Sequence, residues 1–360
     1  MPRLSILVPL WGPVPLFENT LASVLQNRPA DCDVLVVHPE SYDDPWEVID
    51  EVQLLETPVG VPLLEMLDAS LPYVRGDFLH ILHPGLEVTE GWADRALEAF
   101  RDDDVVAVSP WLVDAANNRR LVARGVAFDR RGGRTVVGAG GNVERERTSE
   151  SGREPASRQA PSDARRSAVT VLGPTLQAGF YRTAPLAEIG GWETSLGLAW
   201  ADVDLALSFA EAGLRCVECV DSVILGPPES APRELPSGDA TTFSERFAAG
   251  RCGERVYLRH SSRIDGLAPM VARGAGLVAS WLTGGDTRPS LAQVAGRMAA
   301  WSERPQHREF RRELAQWTAA RRPRPVTVAK SLECVTEMPS DVSSVDRAGS
   351  STESIPRRAA

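Results

Sequence analysis

LSILVPLW (4–11) begins as an unbroken apolar run and ends in a proline, and two later runs repeat that character, VLVV (34–37) and FLHIL (78–82). Between them lie helical patterns: PLFENTLASVLQN (15–27), DDPWEVIDEV (43–52) and a segment near 62–73. Asp44 suits an N-cap there and Pro45 a first helical position, where a missing N–H costs nothing. GWADRALEAF (91–100) then precedes VVAV (105–108). Strands alternating with helices at this spacing predict an α/β fold, a mostly parallel sheet with helices on both faces. Ligands of such sheets bind outside the carboxyl ends of the strands, so the residues following Val8, Val37 and Leu82 are the ones to watch.

Farther along, the pattern breaks. GAGGNVERERTSESGREPASRQAPSDARR (138–167) holds almost no apolar residues, and such a composition cannot bury enough surface to order itself; a disordered surface insertion is expected. A strand is expected at AVTVLG (168–173), a helix around Trp200–Ala212 and a strand at 215–220. The text from about 239 to 322 is helical, with Trp281, Trp301 and Trp317 as packing anchors, and 323–360 reads as a disordered tail. The expected organisation is therefore an α/β domain over 1–228, a helical extension over 229–322 and the tail.

Composition removes several classes of function. Acidic residues number 49 against 39 basic ones, a net charge of −10, and Lys330 is the only lysine. An acidic chain without a basic block is poorly suited to nucleic acid, whose binding needs many phosphate-neutralising cations. The five scattered cysteines do not make a disulfide framework, and a reducing, cytoplasmic setting is expected. Cys216-x-x-Cys219 lies in RCVECV, which alternates like a strand, and no second pair or nearby histidine completes a zinc site. The opening apolar run is too short for a signal peptide's cleavage pattern, and no run reaches the roughly 18 residues that span a bilayer. The nearest, LAPMVARGAGLVASWL (267–282), is interrupted by Arg273 and reads as an amphipathic core helix. There is no GxxxxGK[ST], no GxGxxG, and no Ser–His–Asp or Cys–His arrangement.

Four stretches in order carry a resemblance: LSILVPLW (4–11), DVLVVHPESYDD (33–44), GDFLHILHPGLEVTEGWADRAL (76–97) and AGFYRTAPLAEIGGWETSLGLAWADVDLALSFAEAGLRC (178–216). Over roughly residues 3–226 the chain resembles the family-2 glycosyltransferases of GT-A fold. The resemblance implies a mixed, mostly parallel GT-A-like sheet and transfer of a sugar, with inversion, from a nucleotide-diphosphate donor to a glycan or other hydroxyl acceptor. It departs from the family at the positions that carry chemistry. Where the second strand usually ends in two nucleotide-contacting aspartates, this chain has His38 and Pro39, then Glu40 and Ser41. Where the metal motif supplies an aspartate, it has His83-Pro84-Gly85. The glutamate of the acceptor-side pair is Ala201, although Asp202 and Asp204 remain, and Ser208 and Gly226 stand where an arginine and a histidine are common.

Those residue types answer a definite need. A leaving diphosphate gathers negative charge, which Mg²⁺ or Mn²⁺ held by carboxylates stabilises, and a second carboxylate takes the acceptor's proton. Carried over residue by residue, the resemblance sets the nucleotide sugar against Pro9, Leu10, Trp11, His38, Glu40, Ser41, His83 and Gly85. Arg182 and Asp204, which come from the acceptor-side stretch, are counted among the nucleotide-sugar contacts too, with Asp202 as base. No metal ligand is assigned, because the family's positions for one are changed. Each residue also has a structural reading: Asp202 as a helix cap, Asp204 as a fold residue, Arg182 as a surface ion pair, Glu87 as a solvated loop acid. His38 and His83, expected to end neighbouring strands, could meet with Glu40 around a metal. His260 and His307 are expected on solvated or packed helix faces. The alternative to a transferase is a catalytically inactive relative acting as a binding or scaffold protein.

Overall fold

The first apolar run is the strand β1 (Leu4–Pro9), and the helix α1 (Val14–Asn27) starts after Pro13 with Pro15 in its first turn. In this computed structural model the described residues are 3–40, 42, 50–128, 133–151, 171–227, 242–260, 275 and 291–321. In chain order there follow β2 (Cys32–Pro39), β3 (Gln53–Thr57), α2 (Leu63–Ser70), β4 (Phe78–Ile81), β5 (Glu87–Val88), α3 (Trp92–Glu98) and β6 (Val105–Asp114). Three short strands come next, β7 (Leu121–Ala123), β8 (Gly125–Phe128) and β9 (Arg134–Val137), then α4 (Val143–Ser151). The order closes with β10 (Phe180–Arg182), α5 (Thr183–Glu188), α6 (Leu198–Glu211), β11 (Arg215–Gly226), α7 (Phe243–Arg259), α8 (Leu291–Ser302) and α9 (Arg304–Arg321).

The main sheet runs β3-β2-β1-β4-β10-β6-β11-β5, with β7 on β6, and β8 pairs with β9 beside it. β3, β2, β1 and β4 are mutually parallel; β10 is antiparallel to both of its neighbours, and β6 and β11 are parallel. This is the mixed, mostly parallel sheet flanked by helices that a GT-A-like chain should have.

Period-two alternation divides β1 between two cores. Leu4, Ile6 and Val8 pack with Phe17 and Leu21 of α1 and with Trp92 of α3 on one face. Leu7 faces the other, among Met66 and Leu67 of α2, Trp192, and Leu205 and Phe209 of α6. A strand apolar on both faces belongs in the middle of a covered sheet. The histidine of FLHIL is part of that core: His80 is fully buried, stacks on Phe180 at 3.7 Å and accepts a hydrogen bond from Trp92 Nε1 at 3.3 Å.

Several expectations are corrected. Residues 143–151, inside the stretch expected to be a disordered insertion, form α4, whose start is tied down by Val143 N–H donating to Arg119 C=O at 2.9 Å. No strand covers 171–173; Gly173 makes a single bridge to Val126. FYR (180–182), in the last of the four resembling stretches, is the central strand β10. The helix expected over 43–52, the helix at 267–282, residues 152–170 and the tail from 323 lie outside the described residues, apart from isolated positions. The C-terminal helices belong to the same compact unit as the sheet, and none of the described helices is long and apolar enough to cross a membrane.

Candidate functional site

Parallel strands end on the same side, so β1, β2 and β4 bring Pro9–Trp11, His38–Glu40 and His83–Gly85 to one rim of the sheet. The backbone joins these ends: Leu10 N–H donates to Val37 C=O at 2.7 Å and Leu82 N–H to Leu7 C=O at 2.9 Å. His83 N–H donates to Gln177 C=O at 2.9 Å, so Gln177 joins the rim although the sequence did not single it out. Trp11 is 41% exposed and sets its ring edge-on to His83 at 5.3 Å. Glu40 is exposed, and its N–H donates to Thr57 C=O. Ser41 lies outside the described residues.

His38 is buried beside a cleft of about 730 Å³ between the ends of β2 and β3 and the helix α2, whose walls include Tyr42, Thr57, Met66 and Tyr73. The volume is in the range of small-molecule sites. One nitrogen of His38, Nδ1, is 3.0 Å from the Pro39 carbonyl, and Nε2 is buried with no partner among the described residues. A carbonyl can only accept, so Nδ1 carries a proton, and in the neutral ring Nε2 then offers a lone pair.

His38 and His83 do not meet, because β1 lies between β2 and β4. Two strand spacings put them roughly 10 Å apart. Among the described residues no group of three or more His, Cys, Asp or Glu side chains is arranged to hold a metal ion. Burial holds His83 at about 4, well below the ordinary imidazole range. Gly85 has φ +90°, a conformation that strains any residue with a Cβ, so this turn is poorly suited to a carboxylate there. The described residues of this rim therefore do not fit a Mg²⁺ or Mn²⁺ site, which asks for oxygen ligands.

On the acceptor side the sequence reading needs its largest correction. Asp202 is not a helix cap: α6 begins at Leu198 behind Gly197, and Asp202 stands in its second turn. Nor is its carboxylate open. Arg134 of β9 donates from Nε to Oδ1 at 3.1 Å and from an Nη to Oδ2 at 2.7 Å, and Oδ1 also accepts the Val203 N–H at 2.7 Å. The two side chains are 3% and 1% exposed. Arg134 was missed, although GVAF (125–128) and RTVV (134–137) about a DRRGG segment have the pattern of a hairpin.

Arg182 does not reach the cleft. It pairs in register with Phe78, the first residue of β4, at the end of the sheet opposite His83. Its guanidinium donates to the carbonyls of Phe100, Asp102 and Val105. Asp204 is buried under the C-terminal helices: Arg259 donates to both of its oxygens, and His260 Nε2 is 2.9 Å from Oδ1. The other ring nitrogen of His260 lies 2.9 Å from Glu211. Burial alone would lower the His260 pKa, but its hydrogen bonds to the two carboxylates raise it; burial opposes, and His260 and Arg259 outweigh it, in lowering that of Asp204. Cys216 is half-buried in β11, and desolvation there pushes its thiol up to about 12.

No family model matches the sequence, and no curated protein matches it. Similar solved structures include GalNAc-T7 with UDP, GalNAc and Mn²⁺, at 12% identity and a TM-score of 0.47, the match covering 71% of this chain and 50% of that one. Another is the mannosyltransferase PcManGT of Pyrobaculum calidifontis in complex with GDP-Man and Mn²⁺, at 16% identity and a TM-score of 0.43, covering 89% of this chain and 86% of that one. The chain thus spans half the length of the first of these.

Proposed function

We propose that this chain is a glycosyltransferase-type protein that takes a nucleotide-diphosphate sugar at the rim formed by β1, β2 and β4. The observation that carries the reading is His38. At the position where the resembled family contacts the nucleotide, a buried imidazole keeps one nitrogen without a partner among the described residues, beside a cleft of about 730 Å³. Nucleosides bring hydroxyl and N–H donors, which that lone pair would accept, and Tyr42 and Tyr73 on the cleft wall offer rings to a base. Trp11, His83 and Gly85 would line the sugar side. The reading has binding independent of a divalent cation, since no donor set for one is found among the described residues.

Inverting transfer to a hydroxyl acceptor would assign the proton to Asp202, and this requires Arg134 to let go of that carboxylate when the acceptor binds. The closed pair favours a second reading, in which the same fold binds the donor without turnover. Two measurements separate these readings. Thermal unfolding with UDP-, GDP- and dTDP-sugars tests binding, and release of the nucleoside diphosphate in the presence of candidate glycans tests transfer. A stabilising shift with product release supports the transferase; a shift without release supports the binding protein. No shift with any of the three nucleotides defeats both.

A further inference from the structure

Beyond the rim, a second cavity of about 290 Å³ lies where α7 and α9 meet the turn at Glu193–Leu196. Its walls carry two guanidinium groups that are tied to neighbouring side chains. Arg255 pairs with Glu303 and donates to the Ser195 hydroxyl at 3.1 Å. Arg259 holds Asp204 and, at 2.8 Å, Glu193, with its guanidinium 3.5 Å from the Phe310 ring centre. Such a cross-braced wall is preorganised, so little ordering is left for a ligand to impose.

The cavity also holds a buried acceptor and two exposed carboxylates. His307 is 4% exposed; its ring meets the Ala300 carbonyl, and its Nε2 is buried with no partner among the described residues. The carbonyl takes the proton-bearing nitrogen, which leaves Nε2 as an acceptor. Burial and the nearby Arg259 lower its pKa and keep the ring neutral. Glu309 and Glu313 add exposed carboxylates at the mouth. A ligand that offers donors suits these acceptors, and the two built-in guanidinium groups disfavour a cation.

We propose that this cavity binds a neutral, hydroxyl-rich ligand, a saccharide unit, at a site separate from the nucleotide cleft. Hydroxyls donate to Glu309, Glu313 and His307 Nε2, while Gln306 can serve either way. The proposal does not need the nucleotide reading to hold. It makes the helical extension a glycan-holding element rather than a mere brace.

The test is calorimetric titration of the full chain with maltotriose, cellotriose, chitotriose and mannotriose, with spermidine as the cationic probe. At least one trisaccharide should bind. The double variant Glu309→Gln, Glu313→Gln, at exposed positions that leave the core intact, should weaken it by about tenfold, the loss expected for hydrogen bonds to charged groups. His307→Phe should do the same if its thermal unfolding remains cooperative. His38→Phe should leave saccharide binding unchanged, so failure here is distinct from failure of the nucleotide site. Binding of spermidine alone, of none of the four saccharides, or with equal affinity in the Glu309/Glu313 variant overturns the proposal.

Discussion

Arg134 and Asp202 form a two-pronged ion pair inside the protein, with donor–acceptor distances of 3.1 and 2.7 Å and both side chains at most 3% exposed. The strand β9 and the helix α6 are thereby fastened at the carboxylate that the proposed transfer would need as an open base. Buried pairs of this kind are strongly coupled, because removing one partner leaves the other charge stranded.

Arg134→Ala should therefore destabilise the fold by about 3–5 kcal/mol in urea unfolding. The double replacement Arg134→Leu, Asp202→Leu should recover most of that loss, because the two charges then leave the interior together. A single-variant loss below about 1 kcal/mol would show that the pair is solvated rather than buried.

Both groups of the His260–Asp204 contact report on pH. His260 has a folded pKa above its ordinary 6.5, so its contribution is fully present below that value and is lost as pH rises through the folded pKa. Asp204 is depressed below 3.8, so its contribution is present above that value and is lost as pH falls through the lowered one. The stability gap between the wild type and His260→Gln should be widest between about pH 4 and 6.5 and shrink above it. Arg259 and Glu211, which face the same cluster, remain in both proteins. A gap that widens with rising pH contradicts the sign.

His80 works in the opposite direction. Burial lowers its pKa to about 3, so unfolding takes up a proton at any pH between that value and 6.5. Its contribution is complete above 6.5 and falls with pH, by at most roughly 4 to 5 kcal/mol at about 1.4 per unit. His80→Asn should be less stable at pH 7 but lose less on acidification from pH 6.5 to 4. An unchanged acid slope would count against a neutral buried imidazole.

The pairing of α7 with α8 depends on missing side chains. A Cβ on Gly296 would lie 2.0 Å from the Phe247 carbonyl oxygen, and one on Gly250 would lie 2.3 Å from that of Gln293. Helix propensity alone would make Gly296→Ala stabilising by about 1 kcal/mol. Overpacking against backbone reverses the sign, and a net loss of about 1–3 kcal/mol is expected in thermal unfolding.

What could be read from the sequence follows from how local the physics is. β1, β2, β4 and β6 were legible because each is an apolar run buried on both faces. The strand QLLET (53–57) was not, since a short, half-exposed edge strand exists only through its pairing with β2. The rim positions Trp11, His38 and His83 follow from strand ends alone. That β1 separates the two histidines depends on strand order, which no local pattern carries. The partner of Asp202 lies 68 residues away on a hairpin whose own signal was present but unread. Arg182 was misplaced for a related reason: its strand runs antiparallel to its neighbours, which reverses the end of the sheet it reaches.

The central claim is a nucleotide site at the rim that works without a divalent cation, and titrating UDP, GDP and dTDP into the full chain tests it most directly. The titrations are run in EDTA and again with excess Mn²⁺, for the wild type and His38→Phe. The account predicts saturable binding of at least one nucleotide, with the same Kd in both media and at least about tenfold weaker in His38→Phe. Binding that appears only with Mn²⁺, or that His38→Phe leaves untouched, contradicts it.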